Sequence, residues 1–171
     1  MTASLIPWRC AHCGEEHRDL PLDFATNRPY FYEQLDAQSR ERAHLTTELC
    51  VIDDQWFFVR GVIELPILGS DLCFRWGTWC SVSAKSHRLI YENWDDPNLD
   101  RVPPVFGWLN TRLPTYPDTL NMKVSIQLRS GNRRPVFTLE PTGHPLALEQ
   151  RDGISVQRLY EMLATLLHRP S

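Results

Sequence analysis

Hydrophobic and polar residues alternate most cleanly between 122 and 129, where Met122, Val124, Ile126 and Leu128 interleave with Lys123, Ser125, Gln127 and Arg129. A period of two is the mark of a strand with one face in the core and the other in water. Ser130-Gly131-Asn132 then supplies a turn, and Pro135-Val136-Phe137-Thr138-Leu139 completes a hairpin. Two longer runs upstream, 56–67 and 72–83, are apolar, β-branched or aromatic on both faces, which predicts strands central in a sheet. The short link Leu68-Gly69-Ser70-Asp71 predicts that these two runs pair antiparallel. Leu49-Cys50-Val51-Ile52, closed by the turn signal Asp53-Asp54-Gln55, adds a shorter strand. Gly61 marks a bulge or a close backbone approach, and Pro66 a strand end or edge.

Helical spacing recurs at three places. Pro29 stands where a helix can begin, and Tyr30, Phe31, Leu35 and Ala43 are spaced for a short, partly buried helix or two, with 36–42 as a solvated charged face. Ser86 is placed to cap a short helix through His87, Leu89, Ile90 and Tyr91 that ends in the acidic turn 94–98. Ser155 caps a helix in which Val156, Leu159, Tyr160, Leu163 and Leu167 share one face, predicted to cover the sheet. Residues 102–117 hold four prolines and three aromatics and predict an ordered loop with its rings packed on the sheet. The stretch 143–150 is expected to form a last edge strand. These elements predict an α+β fold: a mainly antiparallel sheet of five or six strands covered by the C-terminal helix, in a single domain over 1–171 with no internal repeat.

Composition narrows the function classes. At 171 residues and 42% hydrophobic, the chain can bury a real core. A net charge of −3 excludes the broad basic face of a non-specific nucleic-acid binder, though a local basic patch around Arg129, Arg133 and Arg134 stays open. No segment approaches the roughly 20 apolar residues of a membrane span. Residues 1–7 have neither the basic flank nor the apolar run of a secretory signal, so the protein is expected in the cytoplasm.

Five cysteines, at 10, 13, 50, 73 and 80, do not describe a disulfide framework in a chain this long. Cys10-Ala11-His12-Cys13-Gly14, with His17 four residues past the second cysteine, is the local pattern whose spacing has a chemical reason. Two thiolates two residues apart can grip one metal ion from a single turn, and Gly14 permits the left-handed conformation that closes it. The expected ion is a structural zinc held by a knuckle-like segment, 1–28, packed on the sheet. No second Cys-x-x-Cys exists, so His17 and Cys50 are the expected closing ligands beside Cys10 and Cys13. Cys73 and Cys80 fit buried structural thiols, and His12 is expected in solvent. Glu15 and Glu16 would raise the thiol pKa values, which disfavours redox chemistry.

Other residues carry candidate chemistry. Arg60 and Glu64 share a strand face, with Arg75 a cross-strand neighbour; an internal ion pair is preferred over an anion-binding arginine set. His144 is preferred as a structural histidine, since no nucleophile stands at a recognisable spacing from it. Trp94 lies among Glu92, Asp95, Asp96 and Asp100, and Phe106, Trp108 and Tyr116 follow. Trp94, Asp95, Asp96 and Trp108 are therefore the expected recognition face for a basic protein partner, with most of the remaining rings buried.

Cys-x-x-Cys-Gly near the start, Leu49-Cys50-Val51-Ile52, Arg60-Gly61-Val62-Ile63-Glu64-Leu65-Pro66, Trp76-Gly77-Thr78-Trp79, Tyr116-Pro117, and His144-Pro145-Leu146 before Gly153-Ile154 occur in this order. Together they resemble the bacterial domain-of-unknown-function family 2199 over nearly the whole chain. The resemblance implies a bacterial, single-domain protein and carries neither an activity nor catalytic residues. The expected function is a non-enzymatic cytoplasmic protein-binding module with a structural zinc site, one form of which is an immunity-type protein that neutralises a basic toxin. The alternative is a zinc-dependent hydrolase in which Cys10, Cys13 and His17 leave a metal position open for water.

Overall fold

The structure is a computed structural model that describes residues 5–168. Residues 1–4, part of the segment expected to lack a secretory signal, lie outside the described residues. A two-strand ribbon, β1 (Trp8–Arg9) and β2 (Glu16–His17), opens the chain. It is followed by β3 (Asp23–Ala25), the short helices α1 (Tyr30–Glu33) and α2 (Ala37–Arg42), β4 (His44–Leu45), β5 (Leu49–Ile52), β6 (Trp56–Pro66) and β7 (Cys73–Val82). Next come α3 (Ala84–Glu92), a 3-10 turn (Leu99–Arg101), β8 (Val105–Leu109), β9 (Lys123–Gln127), β10 (Val136–Leu139), α4 (Pro145–Asp152) and α5 (Val156–Leu167).

The α+β class holds, with a sheet and a C-terminal helix, but the mainly antiparallel sheet of five or six strands is corrected to a larger sheet of mixed orientation that is partly closed. Eight strands are hydrogen-bonded in the order β3-β7-β8-β9-β10-β6-β5-β4, and β6 also pairs with β7, so that β6, β7, β8, β9 and β10 close into a five-strand barrel. Closure is made by a parallel pairing, Val136 of β10 against Val62 of β6, and β3 also joins β7 in parallel. The other ladders are antiparallel, including the long β6–β7 pair whose register runs from Phe57↔Val82 to Pro66↔Cys73.

The two-sided apolar runs are explained by this layout. Val59, Ile63 and Leu65 of β6 and Phe74, Trp76 and Cys80 of β7 enter the main core with Val124, Ile126, Phe137 and Leu139. The opposite faces supply Phe58 and Trp79 to a second cluster with Cys50 and Ile52, covered by Phe31, Tyr32 and Leu35 from the α1 region. Gly61 is the predicted close approach: a Cβ there would meet the Phe137 ring at 2.3 Å, so glycine makes room for a phenyl ring in a narrow barrel.

Three local expectations change. Within 102–117, Val105–Leu109 is a strand, because Pro103 and Pro104 precede its ladder and Pro114 and Pro117 follow it, leaving every N–H within it free to pair. The stretch 143–150 is helical, not an edge strand: His144 Nδ1 accepts the Leu146 N–H at 3.2 Å and Pro145 occupies the first turn, where its missing donor is harmless. Ser83 rather than Ser86 caps α3, its Oγ accepting the Ser86 N–H at 3.1 Å. Ser155 caps α5 as predicted, accepting from the Arg158 N–H at 3.1 Å, and Leu159, Met162, Leu163 and Ala164 carry that helix into the main core. No helix of the described residues is long and apolar enough to cross a membrane.

Candidate metal centre

The β1–β2 ribbon pairs Trp8 with His17 and Arg9 with Glu16, and the Cys-x-x-Cys turn is its tip. Gly14 has φ 73°, and its N–H donates to the Cys10 carbonyl at 2.9 Å, while the Cys10 N–H donates to the Glu15 carbonyl at the same distance. Arg9 Nη1 braces the tip by donating to the Gly14 carbonyl at 2.8 Å. The ribbon is seated by Trp8, which is buried, donates from Nε1 to the Asp19 carbonyl at 3.0 Å, and stacks on His17 at 4.7 Å and on Tyr160 of α5 at 5.4 Å. Tyr160 in turn donates to the Leu5 carbonyl at 2.9 Å.

That docking brings the end of α5 over the turn. One ligand atom each from Cys10, Cys13, His17 and His168 lies within 4.8 Å of the others. Cys10 Sγ is 3.3 Å from His168 Nε2, and Cys13 Sγ is 3.6 Å from His17 Nε2. A tetrahedral ion with bonds of roughly 2.0–2.3 Å separates its donors by about 3.3–3.8 Å, so these contacts are of the size a bound zinc requires. Two thiolates and two imidazoles are also the borderline-soft set that zinc prefers. Burial pushes the Cys10 thiol up, but the N–H groups of Cys13 and His12 directed at its sulfur outweigh it, and the net pKa lies below the ordinary thiol value. His12 is exposed, as expected, and stacks on the His168 ring at 4.5 Å.

Of the four expected ligands, Cys10, Cys13 and His17 come together and Cys50 does not. Cys50 is fully buried on β5 in the second cluster, beside Ile52, Phe58 and Trp79, and burial pushes its thiol up to about 12. A thiol held neutral in an apolar cluster is core material, not a ligand. The fourth member of the cluster is His168, whose only sequence signal is its place after the last apolar residue of an amphipathic helix. Cys80 is fully buried as predicted, whereas Cys73, at the start of β7, is only half-buried.

The remaining candidates are spread over the surface. Trp94 is half-buried against the main core and lines a small cleft with Arg129 and Arg133, Asp95 is exposed, and Asp96 accepts the Asn98 N–H at 2.8 Å. Trp108 is 40% exposed on the outer face of β8 and meets Phe106 edge-on at 5.1 Å. His144 is the cap of α4, in keeping with a structural role. Glu64 forms the preferred ion pair, with Arg75 and with Arg129 at 3.5 Å each, but Arg60 takes no part in it.

A family profile described as "Uncharacterized protein conserved in bacteria (DUF2199)" matches residues 9–154, a span that includes Cys10, Cys13 and His17 and ends before His168. No curated protein and no solved structure matches the chain. With most of its length inside the matched span, the chain belongs to the bacterial domain-of-unknown-function family 2199.

Proposed function

We propose that this chain is a non-enzymatic protein-binding module in which one zinc ion, on Cys10, Cys13, His17 and His168, staples the N-terminal ribbon to the end of α5. The observation that carries the reading is the convergence of four donors from the two ends of the chain within 4.8 Å. Four protein ligands fill a tetrahedral ion, which leaves no position for the activated water that a zinc hydrolase needs, so the structural role is favoured over the catalytic one. The exposed pair Phe106 and Trp108 supports a recognition surface, and the negative charge of the chain favours a basic partner, an immunity-type target being one form.

Zinc content by elemental mass spectrometry, on protein purified without chelator, tests the staple. About one zinc per chain is expected in the wild type and in Cys50→Ser, with loss in Cys10→Ser and His168→Ala. A metal-free wild type, or full occupancy in His168→Ala, would sink it. For the surface, Trp108→Ala should abolish co-purification of a partner while leaving zinc content and melting temperature unchanged.

A further inference from the structure

Arg60 stands on the face of β6 that carries Phe58, and it is 8% exposed. Its guanidinium lies over the Trp79 ring at 5.8 Å, and Nη1 makes one long hydrogen bond, 3.3 Å, to the Thr47 carbonyl. Nε is sealed from solvent with no partner, and among the described residues no carboxylate stands within ion-pairing distance of the group. A buried cation left unpaired is costly, and an aliphatic side chain would fill the same space without that cost.

A second guanidinium is fixed beside it. The Arg60 N–H donates to the Glu48 carbonyl at 2.8 Å and the Val62 N–H to the Pro135 carbonyl at 2.9 Å, which hold Glu48 and Arg134 next to Arg60. Glu48 is gripped by Arg134 in a fork, Nε to Oε2 at 2.9 Å and Nη2 to Oε1 at 2.8 Å, which leaves Nη1 of Arg134 open. The one carboxylate near both arginines is thus held by Arg134 alone. Burial first, and then the charge of Arg134, pull the Arg60 pKa down from its ordinary value, and Glu48 offsets only part of this.

We propose that Arg60 and Arg134 form a binding site for a small oxyanion, a carboxylate or phosphate group, which takes the open donors of both guanidinium groups. Planar guanidinium forks match both oxyanions, and a site walled by Trp79 strengthens the charge-assisted bonds. The site shares no residue with the zinc cluster, so either can fail without the other.

Isothermal titration of the full-length protein at constant ionic strength, with inorganic phosphate in one arm and acetate in the other, tests the site. Saturable binding is expected in the wild type, weakened about tenfold or more in Arg60→Gln and Arg134→Gln, and tightened in Glu48→Gln, which removes the competing carboxylate. Preference for phosphate would assign a phosphoryl-bearing ligand, and preference for acetate a carboxylate. Should Arg60→Gln fail to fold, Arg60→Lys keeps the charge without the fork and is expected to bind more weakly. No saturable binding of either probe to the wild type, or wild-type affinity in the Arg60 variants, would overturn the proposal.

Discussion

Cys10 Sγ and His168 Nε2 lie 3.3 Å apart although 158 residues separate them in the chain. A metal ion bound by both atoms would close that stretch of chain into one loop. Cross-linking a loop of that length removes about 5 kcal/mol of chain entropy from the unfolded state on the loop-closure argument, equivalent to roughly 10–20 °C of melting temperature for a domain of this size. Chelation should therefore lower the melting temperature by up to that amount. Hydrogen exchange should show the earliest loss of protection in residues 8–20 and 156–168, which open locally, with β6 and β7 losing protection only by the fall in global stability. Unchanged protection in residues 8–20 and 156–168 would argue against a staple.

The five thiols differ in reactivity for reasons visible in their surroundings. Cys13 is exposed, while Cys50 and Cys80 are buried, with burial pushing Cys50 up to about 12 and Cys80 well above its ordinary value. Iodoacetamide at pH 8 should label Cys13 rapidly in metal-free protein and slowly in zinc-loaded protein, and leave Cys50 and Cys80 unlabelled in both. Peptide mass mapping reads each site.

The same burial sets an alkaline limit. A thiol whose pKa is higher in the folded than in the unfolded chain binds more protons when folded, so its contribution is fully present below the unfolded value near 9 and is lost as pH rises toward about 12. Melting temperature measured from pH 8 to 11 should fall, and Cys50→Ala should flatten that fall. An equal slope in the variant would remove Cys50 as its cause.

Gly61→Ala should cost about 1–3 kcal/mol, because the new methyl group meets three atoms of the Phe137 ring at 2.3–2.8 Å in a closed barrel that cannot open around it. A second change, Phe137→Leu, should cost less in the Gly61→Ala background than in the wild type. Urea unfolding of the four proteins gives the coupling, and additive losses would refute the clash.

Gln150 completes the barrel seam where backbone pairing stops. Its Oε1 accepts the Leu139 N–H at 2.8 Å and its Nε2 donates to the Phe137 carbonyl at 2.7 Å. Gln150→Leu strands both groups, and a loss of about 1–3 kcal/mol in urea unfolding is expected. A neutral outcome would mean that water takes both bonds.

The residue pattern alone determined the elements whose burial is periodic. The alternation of 122–129, the two-sided runs of β6 and β7, and the helical face of Leu159 and Leu163 each record which side of a local element is apolar, and that is a local property. The Cys10–Cys13 turn was legible for the same reason, since its spacing and Gly14 lie within one stretch. What periodicity cannot carry is the identity of the partner across the gap. The parallel contact of Val136 with Val62 turns a sheet into a barrel, and nothing near either residue announces it. Two prolines on either side of β8 masked a strand, and the apolar residues of 143–150 served a helix docked on β10 as well as they would have served an edge strand. The Cys2His2 cluster shows the limit most plainly. Cys50 was the expected fourth ligand and His168 was not singled out, and packing reverses that: Phe58 and Trp79 bury the thiol in apolar surroundings, while the stacking of Trp8 on Tyr160 carries His168 to the cysteine turn.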